Sequence, residues 1–330
     1  MGEWPQALIN FQRSLPTAVS RWVLIYQGRF HSAIARSLAT TIPIVESLDL
    51  DTATAVSVQR LLDSYQSQTA TGIVRFHQRD QAEQYPRAPG LDALHALSDW
   101  PPGRIRLCFD VTDQNFPWLF AEQPQQVHER CTRLAERLRG VQRLTVDTQP
   151  GCRFEAHFDD AQWTVYSGVG SHDYQLPSGE LFTLPQSIDG RFDAAGWLIG
   201  SLPFGIKYGR LQPGELLLEF KQGELHSIGG NNRPLCKDLY EAFDRLPPLS
   251  QVVEFGIGQS QAVIAAAARH QLGYLWHEKA YGVHLGLGAE LPENIGPDSR
   301  QTSHHLDFVF AAGELRDSNG RVLAWPASTA

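Results

Sequence analysis

The first 148 residues alternate between short apolar runs and longer segments whose apolar residues recur every three or four positions. Residues 22–26 (WVLIY) form a compact apolar run typical of a buried strand, and residues 124–138 have the spacing of an amphipathic helix. Further strands are predicted at 42–45, 73–76, 105–109 and 144–146, and further helices at 30–40 and 52–65. This alternation predicts an α/β domain at residues 1–148 with a mostly parallel sheet.

From residue 149 onward the pattern changes to short alternating segments that are separated by turn residues. Segments 214–220 and 224–228 flank Lys221-Gln222-Gly223 and predict a β-hairpin. Segment 314–324 repeats this pattern around Ser318-Asn319-Gly320. Helices are predicted at 234–246 and near 260–271. We therefore expect a second domain, residues 149–330, of the α+β class and rich in antiparallel strands.

Composition narrows the classes of function. The chain has 28 basic and 36 acidic residues in 330, a net charge of −8, and no basic run, so we expect no nucleic-acid partner. No glycine-rich loop follows a predicted strand, which leaves dinucleotide and P-loop binding without support. The four cysteines form no C-x-x-C pair. Without a signal sequence or a long apolar run, we expect a cytoplasmic protein that does not bind membranes.

Carboxylates and imidazoles gather at four places in the second half of the chain. Glu180 follows a turn, and Glu254 lies inside an apolar run where an unpaired carboxylate would be costly to bury. His284 lies in a glycine-rich apolar segment. His305 and Asp307 form an H-x-D, and residues i and i+2 of a strand point to the same face. These stretches are candidates for a metal site.

Carboxylates and imidazoles without thiolates suit Zn²⁺, Mn²⁺, Fe²⁺ or Co²⁺. Such a set would hold one ion, or two ions with a bridging carboxylate that activate water. A mononuclear site with open positions would instead bind O₂ and a substrate. Taken singly, the position of Glu180 favours a solvated turn residue, and that of Glu254 is also consistent with a salt-bridged structural carboxylate. His277-Glu278 does not complete an H-E-x-x-H motif, because Tyr281 stands where the second histidine belongs.

Taken in order, four motifs resemble those of the thermophilic-type metalloaminopeptidases. They also resemble the related leucyl-aminopeptidase-like group that contains 2,5-dihydroxypyridine 5,6-dioxygenase. The motifs are LPSGELFT (176–183), EFGIG (254–258), VHLGLG (283–288) and SHHLDFV (303–309). The resemblance runs from about residue 134 to about residue 310. It implies a homodimer and metal-ligand roles for Glu180, Glu254, His284, His305 and Asp307. It also implies that Glu254 is a catalytic carboxylate, which handles the proton of an attacking water.

Three functions remain open at this point. The carboxylate-rich ligand set favours a metal-dependent hydrolase that uses Zn, Mn or Co and cleaves a peptide or amide bond. The chain length, with His284, His305 and Asp307 as a facial set, favours an Fe(II)-dependent ring-cleaving dioxygenase. The peptidases carry a catalytic Tyr soon after the motif at 283–288, where this chain has Ala289-Glu290-Leu291-Pro292. That loss favours a catalytically inactive relative that binds a peptide or small molecule in a biosynthetic pathway.

Overall fold

The computed structural model describes residues 4–78, 93–94, 96–97, 100–149, 151–169, 174–200, 204–269, 274–280, 282–289, 304–311 and 313–323. They form two compact units, and each unit is built from three stretches of chain. The first takes its described residues from 1–131, 166–179 and 260–273, and the second from 132–165, 180–259 and 274–330. The predicted division into an α/β domain at 1–148 and an α+β domain at 149–330 stays a prediction.

The helices occur in both units, and no described helix is long and apolar enough to cross a membrane. They are α1 (Trp4–Arg13), α2 (Gly28–Thr41), α3 (Ala55–Gln66), α4 (Phe116–Leu119), α5 (Pro124–Leu138), α6 (Phe204–Lys207), α7 (Arg233–Arg245) and α8 (Gln261–Arg269). Short 3₁₀ helices span Pro102–Arg104, Pro247–Ser250 and Tyr274–Lys279.

The first unit contains a parallel four-stranded sheet. Its strands are β1 (Arg21–Tyr26), β2 (Ile44–Asp49), β3 (Thr71–His77) and β4 (Ile105–Phe109), in the order β2-β1-β3-β4. Every pair in this sheet is parallel, and helices connect the first three strands. Apolar side chains of β1 and β3 pack against α3 through Val58, Leu61 and Leu62, which lie on one face of that helix. This unit has the parallel sheet and the connecting helices that were predicted for the α/β domain.

The second unit contains two sheets, each with seven described strands. The first has the order β11-β10-β16-β15-β14-β8-β7, and the second has the order β13-β12-β9-β6-β5-β17-β18. The strands are β5 (Arg143–Gln149), β6 (Cys152–His157), β7 (Thr164–Tyr166), β8 (Glu180–Thr183), β9 (Ser187–Asp193), β10 (Gly196–Gly200), β11 (Arg210–Leu211), β12 (Leu217–Lys221), β13 (Glu224–Gly229), β14 (Val252–Gly258), β15 (Gly282–Gly288), β16 (His305–Phe310), β17 (Glu314–Asp317) and β18 (Val322–Leu323).

The two sheets of the second unit face each other across an aromatic core. Phe192 in β9 lies 6.3 Å from Phe308 and 5.3 Å from Phe310 in β16, measured between ring centroids. Phe154 in β6 reaches the same Phe310 at 5.7 Å. Aromatic side chains from both inner faces thus fill the space between the sheets, as in a β-sandwich.

The predicted fold class is confirmed: a parallel sheet with helices precedes a part rich in antiparallel strands. Both predicted hairpins occur, as β12–β13 and β17–β18. The strand expected at 42–45 begins instead at Ile44. Ile42 donates its backbone N–H to Leu38 at the end of α2, and Pro43 has no N–H to donate. The predicted ends at 271 and 324 lie outside the described residues.

Phe192→Ala tests the aromatic core. Phe192 is fully buried between the two sheets, so the truncation should lower the free energy of unfolding by about 3–5 kcal/mol. Urea unfolding followed by circular dichroism measures the change. Tyr240→Ala is the control, because Tyr240 is 67% exposed and should cost about 0.5 kcal/mol or less. Equal losses in the two variants would contradict the sandwich core.

Candidate metal centre

Four neighbouring strands of one sheet carry the candidate site on a single face. In β14, β15 and β16 the side chains of Phe255, Leu285 and Phe308 point into the core of the second unit. The alternate positions point to the opposite face, because successive side chains of a strand alternate. That opposite face holds Glu180, Glu254, His284, His305 and Asp307. One face of the sheet therefore carries the five candidate ligands, and the other face packs into the apolar core.

Glycines on this face make room for the two imidazole rings. Gly256 in β14 lies directly across from His284 in β15, and a Cβ at Gly256 would stand 2.0 Å from Nε2 of His284. A Cβ at Gly286 would stand 2.6 Å from Nε2 of His305 and 2.8 Å from Cβ of Glu254. Since real Cβ atoms do not approach other atoms so closely, only glycine at these two positions leaves the rings where they are.

The first donor group consists of Glu180, Glu254 and His284, and all three side chains are buried. Nε2 of His284 lies 3.1 Å from Oε1 of Glu254 and 3.7 Å from Oε2 of Glu180. Among the described residues, Oε2 of Glu180 and Nδ1 of His284 have no hydrogen-bond partner. Buried polar atoms without partners are uncommon, and in a group of this kind they are candidates for a ligand.

The second donor group consists of Glu254, His305 and Asp307. Nε2 of His305 lies 2.9 Å from Oδ1 of Asp307 and 3.4 Å from Oε2 of Glu254. On the other side of the ring, Nδ1 lies 2.7 Å from the carbonyl oxygen of Ala289. A carbonyl only accepts hydrogen bonds, so Nδ1 carries a proton and donates it. Nε2 then faces two carboxylates and needs either a proton or a metal ion between them.

The electrostatics of both groups centre on Glu254. Burial alone would raise the pKa of Glu254, but hydrogen bonds from His284 and His305 bring that pKa below its ordinary range. Burial opposes a charge on His284, yet its hydrogen bond to Glu254 and the nearby carboxylates raise the pKa of His284 to about 9. Burial also opposes a charge on His305, and Asp307 and Glu254 nevertheless raise its pKa well above the ordinary value. Both rings are thus held as cations in the absence of metal.

A buried lysine adjoins the first group. Nζ of Lys279 donates to Oε1 of Glu180 and lies 2.8 Å from Oε1 of Glu278. Burial raises the pKa of Glu180 to about 7, although Lys279 opposes that rise. Burial likewise opposes the charge of Lys279, but the two carboxylates raise the pKa of its ammonium above the ordinary value.

The described site carries more negative than positive charge. With both imidazoles protonated, three cations face four carboxylates. Metal binding requires neutral imidazoles, and then one ammonium faces the four carboxylates and three negative charges remain. Because unpaired buried charges are costly, the site needs further positive charge, and a divalent ion supplies it. Carboxylate oxygens and imidazole nitrogens are also suitable donors for such an ion. The residues present therefore fit a divalent metal.

All five residues that the sequence predicted as ligands lie in these two groups, and Glu254 belongs to both. Their roles as ligands, and the catalytic role of Glu254, stay predictions. Neither group contains both histidines, because His284 lies beside Oε1 of Glu254 and His305 beside Oε2. The alternative set of His284, His305 and Asp307 is thus not one of the described groups.

Sequence reasoning missed Lys279 and Glu278. The signal was a charged pair, Glu278-Lys279, that directly precedes a predicted site strand. The sequence analysis did not predict His277 as a ligand, and His277 lies outside both groups. Its ring stacks on Trp197 at 3.6 Å, and burial lowers its pKa to about 3. Residues 290–292, where the expected Tyr is lacking, lie outside the described part of the chain.

Comparison with known proteins finds similarity at the level of the fold. No protein-family model matches the chain, and no curated protein sequence does. Among solved structures, that of 2,5-dihydroxypyridine dioxygenase from Pseudomonas putida KT2440 is similar, with a TM-score of 0.61 and 17% sequence identity. The match covers 99% of this chain and 96% of that chain. It shows a shared fold. The name of this neighbour is that of the dioxygenase in the predicted resemblance, and the comparisons give no evidence for the aminopeptidases.

Gly286→Ala tests the role of glycine in the centre. The new methyl group would displace the ring of His305 and the side chain of Glu254, so metal affinity should fall by about tenfold or more. Calorimetric titration with Mn²⁺ measures the affinity, and circular dichroism checks the fold. Gly229→Ala is the matched control, because a Cβ there meets nothing within 4 Å. Unchanged affinity in Gly286→Ala would show that the rings do not need this space.

The raised pKa of His284 predicts how the stability of the metal-free protein depends on pH. The folded state binds this proton more tightly than the unfolded state, so the stabilisation is complete below about pH 6.5 and is lost as the pH rises through about 9. The free energy of unfolding should therefore fall by up to about 3 kcal/mol between about pH 7 and pH 10. Urea unfolding in chelator-treated samples measures this fall.

His284→Gln should flatten part of that pH dependence, because glutamine does not titrate. His157→Gln is the control, since His157 is partly exposed and lies outside both donor groups. The same pH dependence in wild type and His284→Gln would contradict the proposed ionisation of His284.

Proposed function

We propose that the protein is a metal-dependent, ring-cleaving dioxygenase that acts on a dihydroxylated nitrogen heteroaromatic compound. One observation carries the proposal. The donor group of Glu254, His305 and Asp307 lies in a chain whose fold matches, over nearly its whole length, an enzyme named 2,5-dihydroxypyridine dioxygenase. Fold alone does not determine activity, so the weight lies on the donor group within that fold.

Glu254, His305 and Asp307 would hold the metal, for which Fe(II) is the choice in an oxygenase. One histidine and two carboxylates differ from the usual set of two histidines and one carboxylate, but they are donors of the same chemical kinds. When bound, the ion supplies positions at which O₂ and the substrate are brought together. The three protein donors, Glu254 from β14 and His305 and Asp307 from β16 on the other side of β15, would leave such positions open.

The protein's own residues orient these donors. Ala289 accepts the hydrogen bond from Nδ1 of His305 and so directs Nε2 towards Asp307 and Glu254. On the opposite side, Nε2 of His284 donates to Oε1 of Glu254, which leaves Oε2 beside His305. His284 thus fixes the rotation of the Glu254 carboxylate.

A second candidate is a two-metal hydrolase that cleaves a peptide or amide bond with Zn, Mn or Co. Glu254 favours it, because one carboxylate offers each of its oxygens to a different donor group, as a bridging ligand does. In that case Glu254 would also be placed to handle the proton of the attacking water.

Asp307→Asn tests the proposed function. The wild-type protein, loaded anaerobically with Fe(II), should consume O₂ when 2,5-dihydroxypyridine is added, and the ring absorbance of the substrate should disappear. Asp307→Asn should lower kcat by at least about 100-fold, since losing a ligand exceeds the 10–100-fold cost typical of losing a partner of a ligand. Asp244→Asn, which changes an exposed carboxylate on α7, should retain full activity.

The contrary outcomes separate the candidates. Hydrolysis of aminoacyl amides by the Zn, Mn or Co form, without O₂ uptake by the Fe(II) form, would replace the proposal with the hydrolase. No metal binding under either condition would contradict both enzymes and leave a protein that binds a small molecule or peptide.

A further inference from the structure

Two donor groups that share one carboxylate are the usual frame of a two-metal site. In this protein a cationic side chain already adjoins one of them. Nζ of Lys279 donates to Oε1 of Glu180, a member of the first group, and also lies 2.8 Å from Oε1 of Glu278. The Lys279 side chain is only 4% exposed. A buried ammonium between two carboxylates is what compensates their charge in place of an ion.

The backbone that carries Lys279 is packed tightly onto the site sheet. A Cβ at Gly258 in β14 would stand 1.8 Å from the carbonyl oxygen of Ala280 and 2.6 Å from that of Glu278. The backbone on both sides of Lys279 is therefore in close contact with β14, the strand that also carries Glu254. Since the side chain is buried and its backbone is held, Lys279 is a fixed part of the centre.

We infer that Lys279 takes the place of a second metal ion. The protein then binds one ion, at Glu254, His305 and Asp307, while Glu180 and His284 serve as positioning residues. A second divalent cation at Glu180 would lie next to the ammonium, and two cations at contact distance repel each other strongly in a buried site. This inference rests on the proposed function, because it assumes that the second donor group holds a metal.

His284 has a definite task under this inference. It lies 3.1 Å from Oε1 of Glu254 and 3.7 Å from Oε2 of Glu180, so it connects the Lys279–Glu180 pair to the metal-binding carboxylate. The order of contacts across the sheet is then Lys279, Glu180, His284, Glu254 and the ion.

Lys279→Met is the direct test, with Mn²⁺ as the probe. Methionine keeps the length of the side chain but removes its charge, which leaves Glu180 free to bind an ion. Elemental analysis after gel filtration should give one Mn²⁺ per chain for wild type and two for Lys279→Met. The electron paramagnetic resonance spectrum of the variant should show coupling between the two ions. Combining Lys279→Met with Glu180→Gln should return the count to one.

Lys221→Met is the matched control, because Lys221 is an exposed lysine in the β12–β13 hairpin, and it should bind one ion. Should Lys279→Met fail to fold, Glu180→Gln alone decides the question. The inference expects that variant to keep one Mn²⁺, with an affinity lowered by no more than the 10–100-fold that losing a partner of a ligand typically costs. Loss of the ion would show that Glu180 is a ligand and would overturn the inference.

The remaining outcomes distinguish the inference from the function on which it rests. Two ions in wild type, or one ion in a folded Lys279→Met variant, would overturn the role of Lys279 while the protein remained a metal-binding one. No Mn²⁺ in wild type or in any variant would overturn the proposed function itself.

Discussion

The buried charge of Glu254 determines which side chains surround it in the centre. This carboxylate lies in the middle of a buried sheet, and water cannot compensate it there. His284 reaches one of its oxygens and His305 reaches the other, so positive charge approaches from the two sides. Both rings need space above the neighbouring strands, and Gly256 and Gly286 provide it. The buried charge of Glu254 thus explains why both histidines lie beside it and why glycines occupy the neighbouring positions.

The sheet provides rigidity as well as spacing. Donors on adjacent hydrogen-bonded strands cannot move independently, because a shift of one strand would break the ladder and the core beneath it. Phe255, Leu285 and Phe308 hold the opposite face of the same strands in the aromatic sandwich. A site built on such elements keeps its geometry without the ion, which favours selective binding of a particular metal. In the metal-free protein the same rigid arrangement holds several carboxylates close together, and protonated histidines reduce their mutual repulsion.

Much of this centre could be predicted from the sequence because strand alternation is a local rule. Glu254, His284, His305 and Asp307 each alternate with apolar residues, and this places them on the face opposite the core. Lys279 could not be predicted in the same way. It comes from a 3₁₀ helix rather than a site strand, and the packing of that helix on the site sheet, including the close approach of Gly258 to the carbonyls of Glu278 and Ala280, brings it to Glu180.

The division into units shows the same limit, because the described residues of 166–179 and 260–273 belong to the first unit through contacts with residues far away in the sequence.

The charge balance also links the number of ions to the chemistry. In two-ion hydrolysis one cation activates the water, and the other helps to stabilise the negative charge that develops on the substrate. If Lys279 neutralises Glu180, the second cation is an ammonium, which offers no open coordination position for water or substrate. The remaining ion would be held by two carboxylates and one neutral imidazole, so its own charge is cancelled by its ligands. Such a centre is poorly suited to polarising an amide and better suited to binding O₂ beside an electron-rich ring, and a single ion and oxygenase chemistry therefore support each other.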